Sequence, residues 1–167
     1  MWSAAAKYLR SLPEVDPERI GVWGGSYGGY MTFIAMTKKP NEWKVGAAWV
    51  GITDLHVMYD SSMEHFKYFL REQMGDPEAD ADLWRDRSAI NFFHQMTGKL
   101  LIVHGVTDPR CPIEQARIAR DKLLELGKVE GEDFEYIELE EVGHGSQGIE
   151  EKIRMYQILA DFLERNL

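Results

Sequence analysis

Ile20-Gly21-Val22-Trp23-Gly24-Gly25-Ser26-Tyr27-Gly28-Gly29-Tyr30-Met31 is the stretch from which the rest of the chain can be read. A short apolar run opens it and predicts a buried strand over 20–23. Gly24 to Gly29 form a turn. Met31, Ile34 and Ala35 then mark one face of a helix that has to stop before Pro40. A serine between strand and helix in the pattern Gly-x-Ser-x-Gly, here Gly24-Gly25-Ser26-Tyr27-Gly28, sits on a sharp, strained turn that lifts its hydroxyl above the sheet. Gly24 and Gly28 carry no side chains, which lets strand and helix close around the turn. The N–H of Tyr27, at the helix start, is placed to donate to an oxyanion. The pattern arises by chance in roughly a few per cent of chains this long, so its strand-turn-helix setting carries much of the weight. The competing reading is a glycine-rich structural turn or a phosphate loop, but neither G-x-G-x-x-G nor G-x-x-x-x-G-K-[ST] is present.

Upstream, Trp2, Ala5, Ala6 and Leu9 recur at helical spacing, and Pro13 with Asp16-Pro17 breaks that helix. Downstream, a second buried strand is expected at 45–50 and a third at 100–103. Phe134 to Leu139 alternates apolar with acidic residues and reads as a strand with one wetter face. Met63, Phe66 and Leu70 suggest a helix stopped by Gly75-Asp76-Pro77, with shorter helices around Leu83-Trp84 and Asn91-Phe92-Phe93. Ala116, Ala119 and Leu123 mark a further helix capped by Gly127. Ile149, Ile153, Tyr156, Ala160 and Leu163 form a stripe on a last one. Alternating strands and helices predict an α/β fold of about four parallel strands flanked by helices on both faces. The 54–97 segment reads as a helical insertion within a single domain, 1–167.

A serine hydroxyl is a weak nucleophile near neutral pH and needs a base within hydrogen-bond reach. Two segments sit where a partner is required, each just after a predicted strand. His104-Gly105-Val106-Thr107-Asp108-Pro109 offers Asp108, and Glu141-Val142-Gly143-His144-Gly145 offers His144. In a parallel sheet these ends share one edge with Ser26, and the order Ser, Asp, His is that of G-x-S-x-G hydrolases. Asp108 is the expected acid and His144 the expected base. Asp54, after the second strand, is the rival acid, with Glu114 behind it. His104 is the rival base, read first as a packed or turn residue. His56, His65 and His94 read as surface or insertion residues, and Cys111 as pocket wall. Tyr27, Trp49, Val50 and Tyr59 are candidates for lining a substrate pocket or for the core.

The bulk composition restricts the remaining options. The chain has 167 residues, a formal net charge of −9 and one cysteine. No basic run suits nucleic acid, no apolar stretch is long enough to span a membrane, and no intrachain disulfide can form. The start lacks the basic and apolar regions of a signal peptide, so a cytoplasmic location is the default expectation. No H-E-x-x-H or cysteine-rich cluster calls for a metal, and no cofactor is expected.

Taken together, Gly21-Val22-Trp23-Gly24-Gly25-Ser26-Tyr27-Gly28-Gly29-Tyr30-Met31, His104-Gly105-Val106-Thr107-Asp108-Pro109-Arg110-Cys111-Pro112 and Gly143-His144-Gly145 resemble the prolyl oligopeptidase family of serine peptidases. The likeness is greatest to its acylaminoacyl-peptidase and dipeptidyl-peptidase-like branches. The resemblance implies an α/β-hydrolase fold, an acyl-enzyme mechanism on short peptides or small esters, and Ser26, Asp108 and His144 as the triad. It also implies a departure. Family members carry several strands and a helix before the nucleophile, usually after a β-propeller, and a second oxyanion donor from an upstream tyrosine. Here one helix and one strand precede Ser26. The expectation is therefore a truncated α/β-hydrolase fold with weakened activity. Its first strand would be left with an open apolar edge, covered by forming a homodimer. The alternative is a catalytically silent fragment serving as a binding or assembly module.

Overall fold

The computed structural model describes residues 2–145 and 148–167; the side chain of Trp2, and Met1, which entered the leader reading, lie outside the described residues. Four strands form one sheet in sequence order, all parallel: β1 (Gly21–Gly25), β2 (Val45–Trp49), β3 (Lys99–Gly105) and β4 (Phe134–Leu139). Gly25 lies opposite Trp49, Trp49 opposite Val103, and Gly105 opposite Leu139. This register brings all four C-terminal ends to one edge. β2 and β3 are continuous apolar runs because both of their faces are covered. β4, at the sheet's outer position, alternates and places Glu135 and Glu138 in ion pairs with Arg165 and Arg117.

Helices α1 (Trp2–Arg10), α2 (Tyr27–Lys38) and α6 (Glu114–Glu125) pack on one face. Ala6, Phe33, Met36, Ala119 and Leu123 meet Val22, Ala48, Leu100 and Ile102 there, along with Phe93 from a 3₁₀ segment, Ala89–Gln95. α7 (Ile149–Asn166) covers the other face, where Leu159 and Phe162 meet Val45, Ala47, Leu101 and Val103. The alternation of side chains along each strand sorts these two sets. Between β2 and β3 the chain forms α3 (Leu55–Ser61), α4 (Glu64–Met74) and α5 (Ala81–Arg87), which overhang the edge where the strands end and enclose a small core around Trp84, Leu55, Met58 and Leu70.

Three details differ from expectation. β1 runs on through Gly24 and Gly25, because Gly25 still pairs with Trp49. α3 was not anticipated; Asp54 starts it by accepting the His56 and Val57 N–H groups, a side-chain cap. On α7, Ile149, Ile153 and Tyr156 of the expected stripe are 77%, 52% and 60% exposed; Leu163 does pack on the sheet, but together with Met155, Ile158, Leu159 and Phe162. Both sets satisfy helical spacing, so periodicity alone could not choose between them.

Candidate active site

The strand-to-helix turn is held in a costly conformation. Ser26 has φ 57° and ψ −119°, in the region that side chains avoid. Its N–H donates to the Trp49 carbonyl at 2.9 Å, and its carbonyl accepts the Tyr30 N–H at 3.0 Å, so both ends of the turn are pinned. A Cβ on Gly24 would stand 2.6 Å from the Gly28 carbonyl carbon, so strand and helix meet only across a glycine. At Gly28 itself a Cβ would meet nothing within 4 Å. The other crowded position is Gly29, where a Cβ would come within 2.6 Å of the Trp49 carbonyl oxygen. The end of β2 carries a matching distortion. Val50 has φ 41°, rare for a β-branched residue, and its N–H still bonds the Val103 carbonyl at 2.9 Å. The chain turns sharply there while Trp49 keeps hold of the Ser26 backbone.

Asp108 follows β3 in a tight loop. Its Oδ1 accepts the N–H groups of Arg110 and Cys111 at 2.8 and 2.9 Å, which locks the carboxylate. His144 follows β4. The two loops are laced together by the Val106 N–H to the Leu139 carbonyl and the Thr107 N–H to the Val142 carbonyl. Gly105 allows the approach, since a Cβ there would collide with the Val142 and Gly143 backbone. His144 Nδ1 lies 2.8 Å from Asp108 Oδ2, and Nε2 lies 2.9 Å from Ser26 Oγ. A carboxylate only accepts, so Nδ1 carries the proton. Nε2 then bears a lone pair that receives the Ser26 hydroxyl. The three side chains thus form one hydrogen-bonded line from three strands. Tyr27 is the first residue of α2, so its N–H has no carbonyl one turn back within the helix to bind.

The rival side chains have other work. His104 is buried, and its Nε2 donates to the Cys111 carbonyl at 2.7 Å, bracing the loop that carries Asp108. Burial holds its pKa below the usual histidine value, so the ring stays neutral. Asp54 caps α3, and Glu114 lies in the first turn of α6. His56 lies tilted against the Trp84 ring and His65 against that of Phe66. Cys111 is buried against the Ser26 side chain, its thiol pushed up to about 12 by burial, which leaves it un-ionised and unreactive. Trp49 and Val50 belong to the core under α7, and Tyr59 packs edge-on against Trp84. Among the described residues no group of three His, Cys, Asp or Glu side chains is arranged to hold a metal, and no helix is long and apolar enough to cross a membrane.

In front of Ser26 opens a cavity of about 830 Å³, lined mostly by apolar side chains from α2, α3, α4 and α5, with Arg110, Cys111 and His144 also bordering it. A concave apolar site with a few convergent polar groups is the form small-molecule sites take.

Comparison with known proteins agrees with this architecture. The sequence profile of the prolyl oligopeptidase family matches residues 2–167. The uncharacterized peptidase YuxL of Bacillus subtilis is 35% identical over 137 residues, covering 75% of this chain and 19% of its own. Dipeptidyl aminopeptidase BIII of Pseudoxanthomonas mexicana is 30% identical over 133 residues, covering 77% and 19%. The crystal structure of the acylaminoacyl peptidase of Pyrococcus horikoshii superposes with a TM-score of 0.87 at 29% identity, over 99% of this chain and 26% of that one. The chain therefore spans about a fifth to a quarter of the length of these relatives.

Proposed function

The chain belongs to the prolyl oligopeptidase family, and from that premise we propose that it is a serine hydrolase working through an acyl-enzyme. Ser26 is the nucleophile, His144 the general base and then acid, and Asp108 the carboxylate that orients the ring. The observation that carries this reading is the pair of contacts on opposite sides of one imidazole: 2.9 Å to Ser26 Oγ and 2.8 Å to Asp108 Oδ2. Ser26 Oγ attacks the substrate carbonyl carbon while Nε2 takes its proton. The carbonyl oxygen gains the negative charge and is met by the Tyr27 N–H. The tetrahedral species collapses by breaking the bond to the leaving amine or alkoxide, which receives the proton from Nε2. Water then repeats the sequence to release the acid and restore Ser26. Asp108 stays ionised throughout and stabilises the imidazolium.

The substrates proposed are short peptides, after the peptidase names of the relatives, and small esters. One backbone donor is assigned to the oxyanion. Activated esters, whose leaving groups ask least of that single donor, are ranked above peptides as test substrates. We further propose that the 167-residue polypeptide pairs with a second copy along β1. A fluorophosphonate probe tests the central reading. Wild-type protein is expected to label, and Ser26→Ala to lose the label. Folded wild-type protein that takes no label supports the other reading, a catalytically silent binding module.

A further inference from the structure

Gln115, in the first turn of α6, is fully buried. Its side chain reaches the segment by which the chain leaves β2 and enters α3. Oε1 accepts the N–H groups of Thr53 and Asp54 at 2.8 and 2.9 Å, and Nε2 donates to the Asp54 carbonyl at 3.0 Å. The Thr53 hydroxyl, 3.2 Å from Oε1, gives its proton to the Gln115 backbone carbonyl at 2.6 Å. Beyond the bond from the Val50 N–H to the Val103 carbonyl, the amide thus serves Thr53 and Asp54 as a neighbouring strand would. Only an amide suits this place. A carboxylate would set a second acceptor against the Asp54 carbonyl, and an apolar side chain would leave two N–H groups and a C=O buried without partners.

The same segment is tied to the far end of the insertion. The Leu55 N–H donates to Ser88 Oγ at 3.0 Å, and the Ser88 hydroxyl donates to the Trp84 carbonyl at 2.8 Å. The Ile90 N–H donates to the Thr53 carbonyl at 3.1 Å. Both ends of the α3–α5 segment therefore meet at one buried joint, and Gln115 fixes that joint to α6. The insertion's small core of Leu55, Met58, Leu70 and Trp84 packs on Cys111, whose N–H holds Asp108. The nucleophile turn is anchored separately, on the Trp49 carbonyl. We propose that Gln115 is a positioning residue: by clamping the root of α3–α5 to α6, it sets where the wall formed by Leu55, Met58 and Phe66 stands relative to Ser26. This rests on the serine-hydrolase reading above.

The test compares p-nitrophenyl acetate, whose acyl group is too small to reach that wall, with the p-nitrophenyl ester of N-acetylphenylalanine. Gln115→Met keeps the length of the side chain and removes its hydrogen bonds. KM for the phenylalanine ester is expected to rise about fourfold to tenfold, the loss of one or two methylene contacts, with kcat nearly unchanged. Cleavage of the acetate is expected to stay near the wild-type rate. Thr53→Val is expected to raise the same KM by less, and Thr53→Ser, which keeps the hydroxyl, to restore it; this pair carries the test where Gln115→Met folds poorly. Combining Thr53→Val with Gln115→Met is expected to add little to Gln115→Met alone, since both act on one joint. A fall in kcat shared equally by the two esters, or unchanged kinetics in the folded variants, overturns the positioning role and leaves the serine-hydrolase reading standing. No Ser26-dependent cleavage of either ester by wild type, together with no fluorophosphonate labelling, overturns both.

Discussion

Val50 is buried on the same face of the sheet as Val45, but only Val50 has a positive φ. Its conformation stores about 1–3 kcal/mol, spent on turning β2 away while the Trp49 carbonyl holds the Ser26 N–H. Val50→Gly loses the same side-chain burial as Val45→Gly but releases that strain. It is therefore expected to destabilise by about 1–3 kcal/mol less, read from urea unfolding of the two variants; equal losses would show that no strain resides at Val50. His104 gives a second test at this scale. Burial lowers its folded pKa beneath the unfolded value near 6.5. Below that value the unfolded chain binds a proton that the folded one refuses, so stability is full above it and declines as pH falls toward the folded pKa. His104→Gln, which keeps a donor for the Cys111 carbonyl but does not titrate, is expected to flatten the loss of unfolding free energy between about pH 7.5 and 5.5. The meeting of Ser26, Asp108 and His144 was legible in the sequence because residue type, chain order and position after a strand all pointed to one edge. Gly29 and Val50 were not legible. What constrains them is the approach of β2's end to the elbow, a contact between strands that no local pattern encodes.

At the scale of elements, the site depends on how closely two loops from neighbouring strands can lie. β3 and β4 are in register to Gly105 and Leu139, and beyond that pair the Asp108 and His144 loops cross with backbone against backbone. Gly105→Ala puts a methyl group into the Val142 and Gly143 carbonyls, which belong to rigid backbone. The His144 loop has to lift, and the ring moves off Ser26. A displacement of about 1 Å in a catalytic group costs on the order of 10²-fold. Gly105→Ala is expected to lose about that factor in kcat on p-nitrophenyl butyrate, and unchanged kcat in the folded variant would show that the loops have slack. The strands were easy to foresee because parallel, doubly covered segments are continuous apolar runs. The helices over the catalytic edge were harder. α3 depends on the Asp54 cap more than on periodicity, and α7 offered two stripes of equal spacing. The sheet chose Leu159 and Phe162 because β2 and β3 lie beneath them, a fact external to the helix.

At the scale of the whole molecule, the stripe that the sheet did not choose has its own consequence. Among the described strands β1 is bonded on one side only, by β2. Beside its free edge Trp23 is 53% exposed and meets Tyr156 edge-on, with centroids 6.3 Å apart. Ile153 and Ile149 continue the apolar surface along α7. In the longer relatives the rest of each chain is available to cover such a face. A second copy of the 167-residue polypeptide, as proposed above, would offer the same apolar surface to it. A two-fold axis beside β1 would pair the two strands antiparallel and bring the aromatic groups together, closing both open edges in one self-complementary contact. Light scattering at micromolar concentration is expected to return the mass of two chains, and Trp23→Lys, which sets like charges across the axis, to return the mass of one. A monomeric wild type would remove the dimer, whatever the outcome at Ser26. An unchanged dimer in the lysine variant would move the interface away from β1.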